Sequence, residues 1–326
     1  MRELKYWQAV NEALALEMAR DGSVVMIGED VAAPGGPFGT SRGLLDRFGP
    51  RRVRDTPISE NLIVGLGVGG ALNGLRPVVE VMFFDFLALA MDQVVNQAAK
   101  ISFMSGGRQK VPLTIRTICG GGRNNGPQHS QSLEAWFGHV PGLKVVWPTT
   151  PADAKGLLTA AIRDDNPVLV IESLQLWQVK GEVPEGEHVV PIGRALVRRS
   201  GKDATIVTAG GMVPRALAAA NELAGQGIDA EVIDLRTISP IDAETILASV
   251  AKTHRLLIAH DAVKPFGFGA EVAALVAEKA IEELDAPIVR VTAPWAPVGF
   301  SSTLERAHYP QPSDIVRGVQ SLFGNA

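Results

Sequence analysis

The chain has 326 residues, 46% hydrophobic and 20% charged, with a net charge of −4 and a pI of about 5.9. That length accommodates two domains with sizeable cores, and the mildly acidic balance offers no basic surface suited to a phosphate backbone, which argues against nucleic acid as a partner. The single cysteine, Cys119, can form neither an internal disulfide nor a zinc cluster, which fits a reducing, cytoplasmic setting.

The opening stretch "MRELKYWQAVNEALALEMARDG" interleaves Glu3, Glu12, Glu17 and Asp21 with apolar residues, unlike a signal or transit peptide. No uncharged run approaches the roughly 18 apolar residues of a membrane span. Short β-branched runs then recur between helical stretches: "SVVMIG" near 23, "RPVVEVMFF" near 76, "VPLTIRTI" near 111, "LKVVWP" near 143 and "NPVLVIE" near 166. Runs that are apolar on both faces and bounded by Gly or Pro predict buried parallel strands covered by helices. A helix is expected over 151–162, with Thr150 as cap, Pro151 in the first turn and Asp153 against the positive helix end. After Glu172 the periodicity lapses through mixed charges, Gly and Pro, which predicts an interdomain connection with a short strand of its own. A second alternation follows: strands at "ATIVTAG", "IDAEVIDL", "HRLLIAH" and "APIVRVT", with helices from about 213, from about 241 and over "GAEVAALVAEKAIEEL". The expected organisation is an α/β domain with a parallel sheet at 1–175, a linker at 176–203 and a smaller α/β domain at 204–326. The acidic excess lies in the second half, where a solvated surface is the plain explanation.

"GLGVGG" at 65–70 fits the dinucleotide fingerprint, which would make the chain a Rossmann-type oxidoreductase. That fingerprint needs a strand directly before the glycines and a turn that opens a helix. Here "TPISENLIV" reads as the start of the helix itself, so the glycines fall inside it and suit a close backbone approach. No G-x-S-x-G elbow supports a serine hydrolase, and the six histidines include no zinc-type pair. The loop "GGGRNNGPQHSQS" at 120–132 carries His129 among glycines and polar residues, a composition shared by functional loops and by ordinary exposed ones. Glu60 follows Ser59 at the head of an apolar, glycine-rich helix, where the helix dipole alone stabilises a carboxylate by about 0.3–1 kcal/mol.

"GEDV" at 28, "DTPISE" at 55, "GLRPVVEVMFFDF" at 74, "MDQVVNQAAK" at 91, "MSGG" at 104, "QHSQS" at 128, "PGLKVVWP" at 141, "DAKGLL" at 153, "DLRTISPID" at 234 and "SVAKTHR" at 249 occur in this order. Together they resemble the beta subunit of the thiamine-diphosphate-dependent decarboxylating component of 2-oxoacid dehydrogenase complexes. The likeness covers nearly the whole chain, and "QHSQSLEAWFGHVPGLKVV" resembles the pyruvate branch more than the acetoin or branched-chain branches. It implies a pyrimidine-binding first domain and a transketolase C-terminal-like second domain. By this resemblance Glu60 shares a proton with the cofactor's pyrimidine nitrogen, a task suited to an acid against an apolar wall, because burial favours the protonated form of a carboxyl. Phe86 matches the aromatic that packs on the aminopyrimidine, and Ile58 and Met82 match the pocket lining. His129 matches the histidine that orients the 2-oxoacid or its adduct and assists acyl transfer to lipoamide; histidine suits this because its proton moves near neutral pH. The G-D-G motif with which such enzymes hold diphosphate through Mg²⁺ does not occur in the sequence. The resemblance therefore implies an alpha subunit that supplies the metal and diphosphate site in an alpha/beta heterotetramer, with a lipoyl acyltransferase core as acceptor, and it leaves open a structural K⁺ of the kind some relatives hold. The chain departs from the family's pattern at "SLQLWQVKG" and at "VTAPWAPVGFSSTLE".

Overall fold

The apolar runs of the first half form parallel strands in the order Lys144–Val146, Val168–Ser173, Thr114–Cys119, Arg76–Phe83, Val24–Gly28 and Val53–Asp55. Every residue of Val24–Gly28, Thr114–Cys119 and Val168–Ser173 is buried, as two-sided helical cover requires. This computed structural model describes residues 2–32 and 35–324. The chain divides into two units, Met1–Cys119 with Trp136–Ile192, and Gly120–Ala135 with Gly193–Ala326.

In the first unit the helices Tyr6–Arg20 and Pro151–Arg163 share a core with one sheet face, through Val10, Leu14, Leu157 and Ile162 against Met26, Val78 and Val170. The second of these helices starts where its capping chemistry places it: the Asp153 amide donates to Thr150 Oγ1 and the Thr150 amide to Asp153 Oδ2, both at 3.1 Å. Side chains alternate along a strand, so Val79, next to Val78, turns to the other face and meets the helix Glu60–Leu72. The "GLGVGG" glycines lie within that helix, past its first turn, so no phosphate-binding turn forms from them. The close approach expected of these glycines is made by side chains and is sharpest at Gly67, where a Cβ would stand 2.7 Å from both Leu113 Cδ1 and Val79 Cγ1. Gly69 faces open space, and Gly74, at φ +88°, lies just beyond the helix.

In the second unit the strands run in the order Val289–Ala293, Leu256–Val263, Ala204–Thr208, Ala230–Asp234 and Leu196–Arg199, all parallel except the last. The helices Val213–Ala224 and Pro312–Ser321 pack on it through Ala216, Ala220, Ile315 and Val319. The stretch 176–203 contributes to both units: Lys180–Val183 pairs antiparallel with Arg2–Lys5, and Leu196–Arg199 closes the second sheet's edge. Among the described residues no helix is long and apolar enough to cross a membrane.

Candidate active site

Glu60 is the first residue of the Glu60–Leu72 helix and is 9% exposed. Ser59 occupies the cap position in an extended conformation, but its side chain makes no capping bond. The helix start is left to its dipole and to the acid itself. Glu29, just past the Val24–Gly28 strand, has its carboxyl raised by burial first and then by the charges of Asp30 and Glu60. Two residues before Glu60, Ile58 is 75% exposed, an apolar side chain with little of this chain over it.

Met82 owes its position to a bulge. Val81 pairs with Thr117 and Phe83 with Ile118, so Met82 is the extra residue on the Arg76–Phe83 strand. A bulge re-aims side chains locally, and Met82 and Phe83 are only half-buried where their strand neighbours are covered. The chain then enters a 3₁₀ turn, Phe84–Ala90, that presents Phe86 edge-on to Phe83 at 6.0 Å, while Phe83 meets Phe38 edge-on at 5.7 Å. The Glu60–Leu72 helix packs on both the Arg76–Phe83 strand and this turn. The structure thus places Glu60, Met82 and Phe86 on three mutually packed elements of one unit, with Ile58 at their edge. Leu62 and Leu66 on the helix and Leu89 on the turn are also exposed.

Along the same strand, two residues before Met82, Glu80 joins a buried ionic network that motif reading missed. Arg116, 1% exposed, donates Nη1 to Glu80 Oε2 at 2.5 Å, and Nε and Nη2 to Glu172 Oε1 and Oε2 at 2.9 Å each. Thr40 Oγ1 adds a bond to Glu80 Oε2 at 3.2 Å. Burial opposes the charge on Arg116, but the pull of Glu172 and then Glu80 outweighs it and raises the guanidinium pKa. Burial raises Glu172 in spite of Arg116, with Glu80 adding to the rise. The sequence did carry a signal: "VVEVMFF", "LTIRTI" and "VLVIES" each place one charge inside an otherwise apolar strand.

His129 belongs to the other unit, which takes in 120–135 with 193–326. It is half-buried, and its amide donates to the Gly126 carbonyl at 3.4 Å. The end of this loop is tied down by a pair the sequence did not flag: buried Glu134 Oε1 lies 2.5 Å from buried His260 Nε2. The His260 ring packs on Phe268 with centroids 4.1 Å apart, and Gly267 leaves it room, since a Cβ there would stand 2.6 Å from the ring. Next to His260 the pairing register shifts, and Asp261 is buried beside this pair. Burial first, and Glu134 among the nearby charges, raise the Asp261 carboxyl from 3.8 to about 6, against the opposing pull of His260 and Arg215.

Between those two pKa values the folded chain holds a proton at Asp261 that the unfolded chain has released, so stability falls as pH rises from about 4 to about 6 and stays lower above it. The cost is on the order of 3 kcal/mol, because each tenfold change in proton affinity between the folded and unfolded chain is worth about 1.4 kcal/mol. Urea unfolding across this range should lose that slope in Asp261→Asn; an unchanged slope would assign it to other groups. Among the described residues no group of three or more His, Cys, Asp or Glu side chains is arranged to hold a metal ion.

Comparison with known proteins places these two units in one lineage. Residues 2–179 match the transketolase pyrimidine-binding domain and residues 193–315 the transketolase C-terminal domain. The acetoin:2,6-dichlorophenolindophenol oxidoreductase subunit beta of Bacillus subtilis is 45% identical, over 99% of this chain and 98% of its own length. From the same organism, the pyruvate dehydrogenase E1 component subunit beta is 45% identical and the 2-oxoisovalerate dehydrogenase subunit beta 42%, each over 99% of both chains. A solved split-gene transketolase, described as an inactive beta4 tetramer, superposes with a TM-score of 0.80 over 97% of each chain at 24% identity, which speaks for the fold. With both domains matched in order and relatives of this identity over its full length, the chain belongs to the family of beta subunits of thiamine-diphosphate-dependent 2-oxoacid dehydrogenase components.

Proposed function

We propose that this chain, with an alpha subunit and thiamine diphosphate, decarboxylates a 2-oxoacid, pyruvate foremost, and passes the acyl group to lipoamide on an acyltransferase core in the cytoplasm. The observation that carries this is the buried carboxyl of Glu60 at the start of a helix that packs on the strand of Met82 and the turn of Phe86, both half-buried, with exposed Ile58 two residues before it, in a chain of this family. These residues suit one end of the cofactor: an aromatic face, apolar walls and a single acid match a flat heterocycle with one basic nitrogen. Mg²⁺ and the diphosphate fall to the alpha subunit. When bound, thiamine diphosphate supplies the carbanion-stabilising chemistry of the reaction.

This chain's own residues then have definite tasks. Glu60 holds a proton at the ring nitrogen, and its burial keeps water from competing for it. The Phe86 ring packs on the heterocycle while Ile58 and Met82 exclude water from its edges. His129 orients the substrate carboxylate and later gives a proton to the departing lipoamide sulfur. In the overall reaction the bond to the carboxylate breaks, CO₂ leaves, and the acyl carbon is oxidised as the lipoamide disulfide is reduced. One sulfur takes the acyl group and the other becomes a thiol.

A second branch has a specific observation behind it, the 45% identity to an acetoin oxidoreductase beta subunit. The deciding experiment co-expresses this chain with its alpha subunit and assays pyruvate, branched-chain 2-oxoacids and acetoin with a dye acceptor, with and without thiamine diphosphate. Pyruvate should lead, and His129→Ala should reduce lipoamide acylation about a hundredfold while leaving cofactor binding within about twofold. A preference for acetoin would move the chain to that branch; NAD binding with no response to thiamine diphosphate would overturn the proposal altogether.

A further inference from the structure

We propose that the segment from Phe300 to Tyr309 is a clamp that positions His129, with Glu305 and Tyr309 as its positioning residues; this rests on the role given to His129 above. The segment meets the 120–135 loop at successive points on both sides of that histidine. Glu305, buried on the short helix Ser302–His308, accepts the Gly122 amide at 2.9 Å and the Asn124 amide at 3.2 Å. At Gly121 an added Cβ would stand 2.7 Å from Glu305 Oε1 and 2.8 Å from the Tyr309 hydroxyl, so no side chain fits between loop and clamp. A methyl at Gly126 would overlap the Phe300 ring. Beyond His129, the Tyr309 hydroxyl donates to the Ser130 carbonyl at 2.9 Å.

The chemistry of these contacts sets them apart from ordinary packing. Glu305 makes no ion pair among the described residues; its partners are backbone amides. Gly122 at φ +113° and Asn124 at φ +56° adopt left-handed conformations that turn closely spaced N–H groups toward one point, a concavity suited to an anion. A carboxylate taken out of water needs such donors, and charge-assisted bonds of this kind are about twice as strong as neutral ones. The clamp is itself held from outside, where Arg215 Nη1 donates to the Pro310 carbonyl at 2.6 Å, and within it the His308 ring stands edge-on to Tyr309 at 5.0 Å. Only residues 127–129 lie between the Phe300 contact at Gly126 and the Tyr309 bond at Ser130. A half-buried imidazole on a loop rich in glycine gains a fixed direction from two such anchors.

The test uses the assembled enzyme and a double-mutant cycle. Glu305→Gln and Tyr309→Phe should each slow lipoamide acylation about tenfold, and hydrogen exchange across 121–130 should accelerate. In the His129→Ala background neither substitution should cause a further loss, because the clamp acts through that side chain. Additive losses, or unchanged exchange in the loop, overturn the clamp while leaving the role of His129 standing. If His129→Ala itself acylates lipoamide normally, that role fails and the clamp fails with it. Tyr309→Phe removes only a hydroxyl, so the cycle can be completed even if Glu305→Gln does not fold.

Discussion

Glu60→Gln in the assembled enzyme is expected to lower the decarboxylation rate by about 10²–10⁴, the range a positioned proton-transfer group contributes. Glutamine matches glutamate in shape and in its acceptor oxygen, so pocket filling is kept while the exchangeable carboxyl proton is lost. Folding should be nearly untouched, since the helix forfeits only a dipole interaction of about 0.3–1 kcal/mol. Cofactor affinity should fall less than turnover, because on the proposed reading Ile58, Met82 and Phe86 would still line the ring. The measurements are single-turnover decarboxylation and a thiamine diphosphate titration on the same preparation. A variant that turns over within a few-fold of the parent would remove Glu60 from the chemistry and leave it the plainer task of stabilising a helix start.

Arg116→Met should produce the largest loss of stability. It leaves Glu80 and Glu172, both buried, facing each other without the cation that bonds them, and breaking a buried pair in this way costs about 3–5 kcal/mol. The deficit should be greatest near neutral pH and shrink toward acid. A carboxyl whose folded pKa is raised destabilises the fold once pH exceeds its unfolded value, and protonation removes the unpaired charge. Adding Glu172→Gln to Arg116→Met should recover part of the loss. Urea unfolding at neutral and mildly acidic pH checks all of this; a loss under about 1 kcal/mol would mean that water reaches the site. Because Glu80 shares a strand with Met82, a shift in the network should also reach Met82.

Much of the fold was legible beforehand for a simple physical reason. Strands buried on both faces must be mostly apolar, and Val24–Gly28, Thr114–Cys119 and Val168–Ser173 read as such without any partner in view, the single charges Arg116 and Glu172 aside. The helix after Thr150 was equally plain, since its cap lies within a few residues of sequence. The glycines of 65–70 were harder, because glycine in a helix reports only that something is near. That side chains of Leu113 and Val79 press on Gly67, and nothing on Gly69, depends on a strand and a connection far along the chain.

The candidate site divides along the same line. Glu60, Ile58, Met82, Phe86 and His129 are all legible in short ordered motifs of the sequence. Nothing in local sequence announces the bulge at Met82, since a register shift is a relation between two strands. The pairing of Arg116 with two carboxylates from neighbouring strands, and of Glu134 with His260 across 126 positions, is equally invisible to periodicity.

By itself, then, the sequence determined the alternation of strands and helices, the two-domain α/β organisation and the residue types available for proton transfer, because burial patterns and capping are local properties of the chain. Only the tertiary structure decided which charges meet in the interior, where a strand bulges and how the 120–135 loop is held, because those depend on the register and approach of segments that are distant in sequence and whose burial presses most polar groups to find a partner.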